Sequence, residues 1–460
     1  MKIRKNITCI VSLLSVVMLC NSCGDDFVDI PPRSIETAET FINNEESLEL
    51  AVVGLYGALQ SRSLYGQNYA YFTEHYSDNA VVRDQGRAGG RYHEFVEFNV
   101  NPDNLVLEPF WNAAYRAIQR ANIILNRIGV IDMDNDLKQR RIAEAKFIRA
   151  MIYFDMVRIW GDVPLITQEI DSPVSQFGVG RDDAETVYAQ IITDLIDADN
   201  GGLPNLDNSG RVSDTAVRAL LGKVYLTRQE WSQASTILQS IVTDNEHQLL
   251  SNFSDFFSIP NENNNETIFE IQYADAPDEG SNFHRMFGPI GDGDNSATQD
   301  LIDAFGTDPR RALSYLQAGS FYYSFKYFDT AATNRSDRNL ILLRYADVLL
   351  MLAESLNEQG FNTGSAFNHL NAIRTRVGLS ALNTTDLPDQ ESFRQEVRLQ
   401  RRLELAHENT RWFDLVRWGI AIETIENAKG ITILPHQLLF PISLNTIEDN
   451  PAIQQNPNYF

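Results

Sequence analysis

The sequence predicts an all-α protein of antiparallel helix pairs, interrupted by an irregular subdomain of loops and short strands. Three observations carry that reading. Through much of the 460-residue chain, apolar residues recur every three or four positions, the period of a helix with one buried face. Leu221-Gly222, Tyr225 and Ala234 match the spacing of the tetratricopeptide unit, in which small residues let two helices approach closely. Two stretches, 62–101 and 250–339, follow no single period and are rich in Tyr, Gly, Asn and Asp, a composition of loops and short strands.

Composition sets the outer bounds. With 43% apolar and 22% charged residues, the chain has ample material for a core. The formal charge of -24 argues against nucleic acid as a partner, because such binding rests on Lys and Arg neutralising phosphates. Anionic membrane surfaces are disfavoured for the same reason.

Residues 1–22 read as an export signal. Lys2, Arg4 and Lys5 precede a mostly apolar run from Ile7 to Leu19, and small Ser22 stands before Cys23. The run is too short to span a bilayer. Cys9 and Cys20 fall inside the removed segment, so Cys23 is the one mature cysteine and no disulfide framework forms. Residues 23–460 then make a single domain. A Pro-containing tether over 27–40 leads into helices over Glu45–Gln60, Glu108–Ile128, Leu137–Trp160 and Asp182–Asp199. Gly161 and Pro164 stop the third of these. Short strands are expected at Thr267–Tyr273 and Phe321–Phe328, with a helix over Ser296–Phe305 between them. Leu340–Asn357 is a nearly all-apolar helix whose polar stripe is Arg344, Asp347, Glu354 and, just beyond, Glu358. Ala366–Val377 is a shorter helix. Phe393–Trp418 is a helix laddered by Arg401, Glu404, Glu408, Arg411, Asp414 and Arg417, a pattern that can be half buried only if each charge finds a partner. The tail over 431–460 is extended.

Catalytic motifs are missing. No GxSxG elbow, Walker A loop, HExxH or CxxC pair occurs, and the seven histidines show no ligand spacing. Glu404, Glu408 and Asp414 invite a glycosidase reading, but each has an Arg three residues away, which lowers a carboxylate pKa and opposes a general-acid role. Asp292, Asp294 and Asp303 hold positions one, three and twelve of a calcium loop, yet Ala297 replaces the required glycine and Asp303 the final Glu. The expectation is no catalytic residue, no cofactor and no metal.

What remains is a surplus of aromatic and polar side chains in the two aperiodic stretches. Asp78, Asn79, Arg87 and Tyr92 stand in the first, and Phe283, His284, Tyr322, Tyr323 and Tyr327 in the second. Sugar rings lie flat on aromatic faces, while their hydroxyls pair with amides, carboxylates and guanidinium groups. These nine residues are the candidate ligand site.

The strings RRLELAHENTRWFDLVRWG, RYADVLLMLAESLN and EAKFIRAMIYFDMVRIWGDVPLI, with FPISLNTIEDNPAIQQNPNYF at the end, resemble the SusD/RagB family over nearly the whole chain. That resemblance implies about four degenerate tetratricopeptide-like helix pairs. It also implies an outer-membrane lipoprotein of Bacteroidetes-type bacteria, acylated at Cys23 and facing the exterior, although Cys20 stands where a lipobox usually has Leu. Asp25, Asp26 and Asp29 look like the acidic sorting signal of such surface proteins. The implied function is capture of a glycan and its delivery to a partner SusC-like TonB-dependent transporter. A surface glycan-cleaving enzyme, and a helical-repeat lipoprotein that binds peptide or assembles other proteins, are the alternatives.

Overall fold

The computed structural model describes residues 42–170, 178–274, 276, 279–289, 292–328, 335–361 and 363–459. The export signal, Cys23 and the tether lie outside the described residues. Helix α1 (Glu45–Leu59) opens on a capping box between Asn44 and Ser47 and buries the expected Leu48, Val52, Leu55 and Leu59. Then come α2 (Leu107–Arg127) and α3 (Asn135–Trp160), the latter capped by Asp134 and stopped by Gly161 at φ 73. Asp183 caps α4 (Ala184–Asp199) and Ser213 caps α5 (Asp214–Thr227); α6 (Trp231–Asp244) follows. Each of these six packs on the next. At the tetratricopeptide-like pair the small residue is required by space, since a Cβ on Gly222 would come within 2.6 Å of the Leu238 side chain. Only glycine lets α5 and α6 lie this close.

The irregular part holds strands β1 (Ala80–Val81), β2 (Thr267–Ile271), β3 (Ser296–Ala297), β4 (Tyr315–Ala318), β5 (Phe321–Ser324) and β6 (Leu340–Arg344). β1, β3, β5 and β4 form one antiparallel sheet in that order, and β2 pairs with β6 in another. Helices α7 (Gln299–Phe305) and α8 (Arg310–Ser314) lie beside the larger sheet. The β1–β3 pairing joins two segments more than two hundred residues apart, Ala80 opposite Ala297. It brings the two aperiodic stretches together.

Helices α9 (Tyr345–Glu358), α10 (Ser365–Arg376), α11 (Gln390–Glu404), α12 (Arg411–Arg417), α13 (Ala421–Lys429) and α14 (Leu444–Asp449) complete the chain. α9 packs against α6, α10 and α11 and is buried along nearly all of its length. Three expectations need correction. Leu340–Arg344 is the strand β6 rather than the first turn of a helix, because an apolar run buried on both faces satisfies either structure and β2 offers a partner. The ladder helix is broken: α11 stops at Glu404, and His407 and Asn409 turn the chain at φ 65 and 61 before α12 begins. The carbonyl of Glu404 accepts from Arg344 Nη2 at 2.8 Å and Lys326 Nζ at 2.7 Å, so side chains from elsewhere close the helix end. The tail is not wholly extended, since α14 forms within it.

Candidate functional site

The charged ladder is a buried network whose partners come mostly from other elements. Arg344 donates to Glu404 at 2.8 Å, to Glu266 at 3.0 Å and through Nε to Glu408 at 2.6 Å. Glu404 also receives Arg310 at 3.0 Å and Arg376, while Lys326 reaches Glu408 at 2.6 Å. With the Asp308–Arg310 pair, four cations face four carboxylates. A second group joins Arg401 to Asp347 and Asp414, Lys223 to Asp347, and Arg417 to Asp414 and Glu354. Burial pushes Glu404 up, but Arg376, Arg344 and Arg310 outweigh it and hold the carboxyl well below the usual range. An acid held that low has no proton to give, so the glycosidase reading fails on the residue it needs most. Sequence spacing identified the ladder but missed Glu266, Arg310, Lys326 and Arg376, which come from aperiodic or separate segments.

A neighbouring buried group behaves oppositely. Glu74 sits in a π-helical turn, Tyr71–His75, and its Oε1 accepts the Asn409 N–H at 2.6 Å. Burial raises its carboxyl to about 8 against the pull of that N–H and of Lys326. His407, 4.0 Å from Glu74, is lowered to about 3 by burial and then by Lys326 and His75. Both are neutral at neutral pH.

The two aperiodic stretches meet at a clamp. Arg87 bridges Asp292 at 2.7 Å and Asp294, Arg83 Nη1 donates to the Pro289 carbonyl at 2.8 Å, and Arg285 holds Asp292 at 3.0 Å. Asp292 and Asp294 are thus occupied by guanidinium groups, while Asp303 bonds Gln299 within α7; the three do not form a calcium loop. Gly293 lies so close to Arg83 and the Tyr323 ring that a Cβ there would sit 3.1 and 3.2 Å from them. Phe321 and Tyr323 share one face of β5, their centroids 6.3 Å apart. Partly exposed side chains at this junction include Arg83, Arg87, Arg285, Asp292 and Phe321, with Tyr322 partly exposed on the other face of β5.

Most of the nine candidates are more deeply placed than a surface loop would put them. Asp78 is fully buried between Arg411 at 2.7 Å and Arg402 at 3.0 Å, and its pKa falls to about 2 as they overcome burial. Asn79 is buried and accepts from Arg402 Nε at 3.0 Å. Phe283 and Tyr327 pack edge to face at 5.0 Å within the core. His284 is buried with its Nδ1 3.0 Å from the Ser281 carbonyl. These five are buried inside the fold rather than on the surface of a loop, away from the partly exposed side chains of the junction. Tyr322 and Tyr323 alternate across β5, so Tyr322 packs toward Leu301, Ile302 and Phe305 of α7 while Tyr323 faces Gly293. Tyr92 is stacked on Tyr71 at 4.6 Å with Arg87 over its ring at 5.3 Å. Of the nine, Arg87 and Tyr92 stand at the clamp, and Tyr323 forms its inner wall.

Comparison with known proteins separates the readings. A model described as SusD family matches residues 315–432, and one described as starch-binding associating with outer membrane matches residues 26–226. The chain is a member of the SusD/RagB family. SusD-like protein P25 of Formosa agariphila is 27% identical over 97% of this chain and 98% of its own length. Among solved structures, a laminarin binding SusD-like protein superposes with a TM-score of 0.80 at 27% identity, covering 91% of this chain and all of that one. A SusD superfamily protein from Parabacteroides distasonis superposes at 0.77 with 26% identity, covering 89% and 99%. The mostly helical fold with small antiparallel sheets is the SusD-like fold. The family matched is one of binding proteins, and the laminarin binding relative is named for binding.

Proposed function

We propose that this chain is a surface glycan-binding lipoprotein that captures an oligo- or polysaccharide and passes it to a partner SusC-like TonB-dependent transporter. The observation that carries the reading is the likeness to the laminarin binding SusD-like protein along nearly its whole length. The clamp between Arg87, Asp292 and Asp294 is the proposed ligand site, with Phe321 as the ring a sugar stacks on and Arg83, Arg285 and Asp292 as its polar partners. A rigid base favours this choice. Two strand pairings and several guanidinium bonds fix the junction, so little conformational entropy is lost when a ligand binds there.

The outer-membrane anchor belongs to the same proposal, with residues 1–22 as signal, Cys23 as the acylated residue and 23–460 as the single binding domain. Cys23→Ala should abolish incorporation of labelled palmitate and release the protein from the membrane; retained label refutes the anchor. A glycan array probed with the soluble chain tests the binding function, and the same array followed for product release tests for cleavage. Binding without turnover is expected. Absence of binding to every glycan, with a peptide or protein bound instead, would replace this reading by the assembly role.

A further inference from the structure

We propose that the cavity between α3, α5, β6 and α12 binds one small anion, chloride or a carboxylate of formate size. It encloses about 50 Å³, room for roughly three or four water-sized spheres and too little for a sugar ring. Arg158 and Lys223 build its cationic wall. Phe154 and Arg158 stand four apart on α3, which lays the guanidinium 3.7 Å over the Phe154 ring, and the Phe413 ring of α12 lies 3.8 Å from the same group. The guanidinium is thereby fixed in place. Its Nε donates to the Phe154 carbonyl at 2.9 Å, and Nη2 donates to Asp155 and to the Tyr69 hydroxyl. Nη1 has no hydrogen-bond partner among the described residues and keeps accessible surface, in a side chain that is 11% exposed. The Lys223 side chain is 15% exposed, and Nζ gives one of its three hydrogens to Asp347 at 2.8 Å. Two remain.

The carboxylates that line the same space are already bonded at both oxygens. Asp155 accepts from Tyr69 at 2.7 Å and from Arg158 on Oδ1, and from Tyr65 at 2.5 Å on Oδ2. Asp414 accepts from Arg401 and Arg417 on Oδ1 and from Arg401 again on Oδ2. Glu408 takes Lys326 and Arg344 on Oε1 and Arg344 on Oε2. The wall therefore has donors to spare, and a charged donor in a pocket of low dielectric constant is costly to leave without an acceptor. A negatively charged acceptor makes the shorter and stronger bond. Arg158, Lys223, Arg401 and Arg417 face Asp155, Asp347, Asp414 and Glu354, a balance that admits a single negative charge and disfavours phosphate or sulfate. Bound there, the ion would tie α3 to α5 beside α12 and stabilise the folded chain by mass action.

Line broadening of chloride in chlorine NMR reads binding to the unaltered protein. The excess broadening should saturate with added chloride and be removed by sodium formate, while sodium gluconate, too large for the cavity, leaves it in place, all at one ionic strength. Lys223→Met and Arg158→Gln are the variants, each with its melting curve recorded. Asp347 keeps Arg401 in the first, and Asp155 keeps Tyr65 and Tyr69 in the second. Chloride affinity should fall at least tenfold in either one, the effect of losing a hydrogen bond between charged groups. Wild-type affinity in a variant that still melts cooperatively puts the ion elsewhere and overturns the site. A wild-type line that formate narrows no more than gluconate does overturns it too, whatever the variants show. Neither result bears on glycan binding at the loop junction.

Discussion

Glu74 carries its proton at neutral pH, and that makes stability depend on pH in a definite direction. Its folded pKa of about 8 lies above the roughly 4.3 expected in an unfolded chain. A group raised on folding contributes stability that is full below the unfolded value and is lost as pH rises through the folded one. The window is therefore about pH 4.5 to 8. Glu408, Lys326, Arg411, His407, Tyr315 and Tyr327 face the same space. Denaturant unfolding of wild type and Glu74→Gln should diverge across that window, the wild type losing up to a few kcal/mol relative to the amide. Parallel curves would mean that Glu74 is ionised throughout. Glu404 is the opposite case. Removing it as Glu404→Ala leaves Arg310, Arg344 and Arg376 short of one acid in a fully buried network, which should cost about 3–5 kcal/mol. The melting temperature checks this, and a loss of glycan affinity at unchanged stability would instead place Glu404 in the binding site.

At the scale of elements, the stop at Gly161 was read from the sequence, because glycine followed by proline is a local signal. The caps at Asn44, Asp134, Asp183 and Ser213 are equally local, and the structure shows them setting the starts of their helices. Boundaries set from a distance were not legible. Nothing local to LILLR distinguishes β6 from a helical turn until β2 lies beside it, and the end of α11 depends on Arg344 and Lys326 reaching the Glu404 carbonyl. Gly222 shows how a weak repeat signal acquires physical meaning, because its lack of a side chain sets the spacing of α5 and α6. Gly222→Val should force Leu238 aside and destabilise by about 1–3 kcal/mol, as overpacking does. A denaturation midpoint equal to that of wild type would show that the helix pair can open without cost.

Across the whole molecule, the family and its fold could be read from the sequence because several strings spread along the chain agree on them. The site was only partly legible. Periodicity correctly marked two stretches as irregular, and β1–β3 pairing unites them, but composition cannot tell a ring that faces solvent from one that fills a core. Tyr327 and Phe283 went to the core and Asp78 to Arg411, leaving Phe321 and Arg285, which carry no distinguishing sequence signal, at the surface. Micromolar to millimolar capture needs roughly 4–8 kcal/mol, within reach of a few aromatic contacts at about 0.5–1.5 kcal/mol and charged hydrogen bonds at about 1.5–3 kcal/mol. The most direct test is calorimetric titration of the best array glycan into wild type and the double variant Phe321→Ala/Arg285→Ala. Affinity should fall at least tenfold, a loss of about 1.4 kcal/mol or more, while the melting temperature stays where it was. Native affinity in the double variant would contradict a ligand site at this junction.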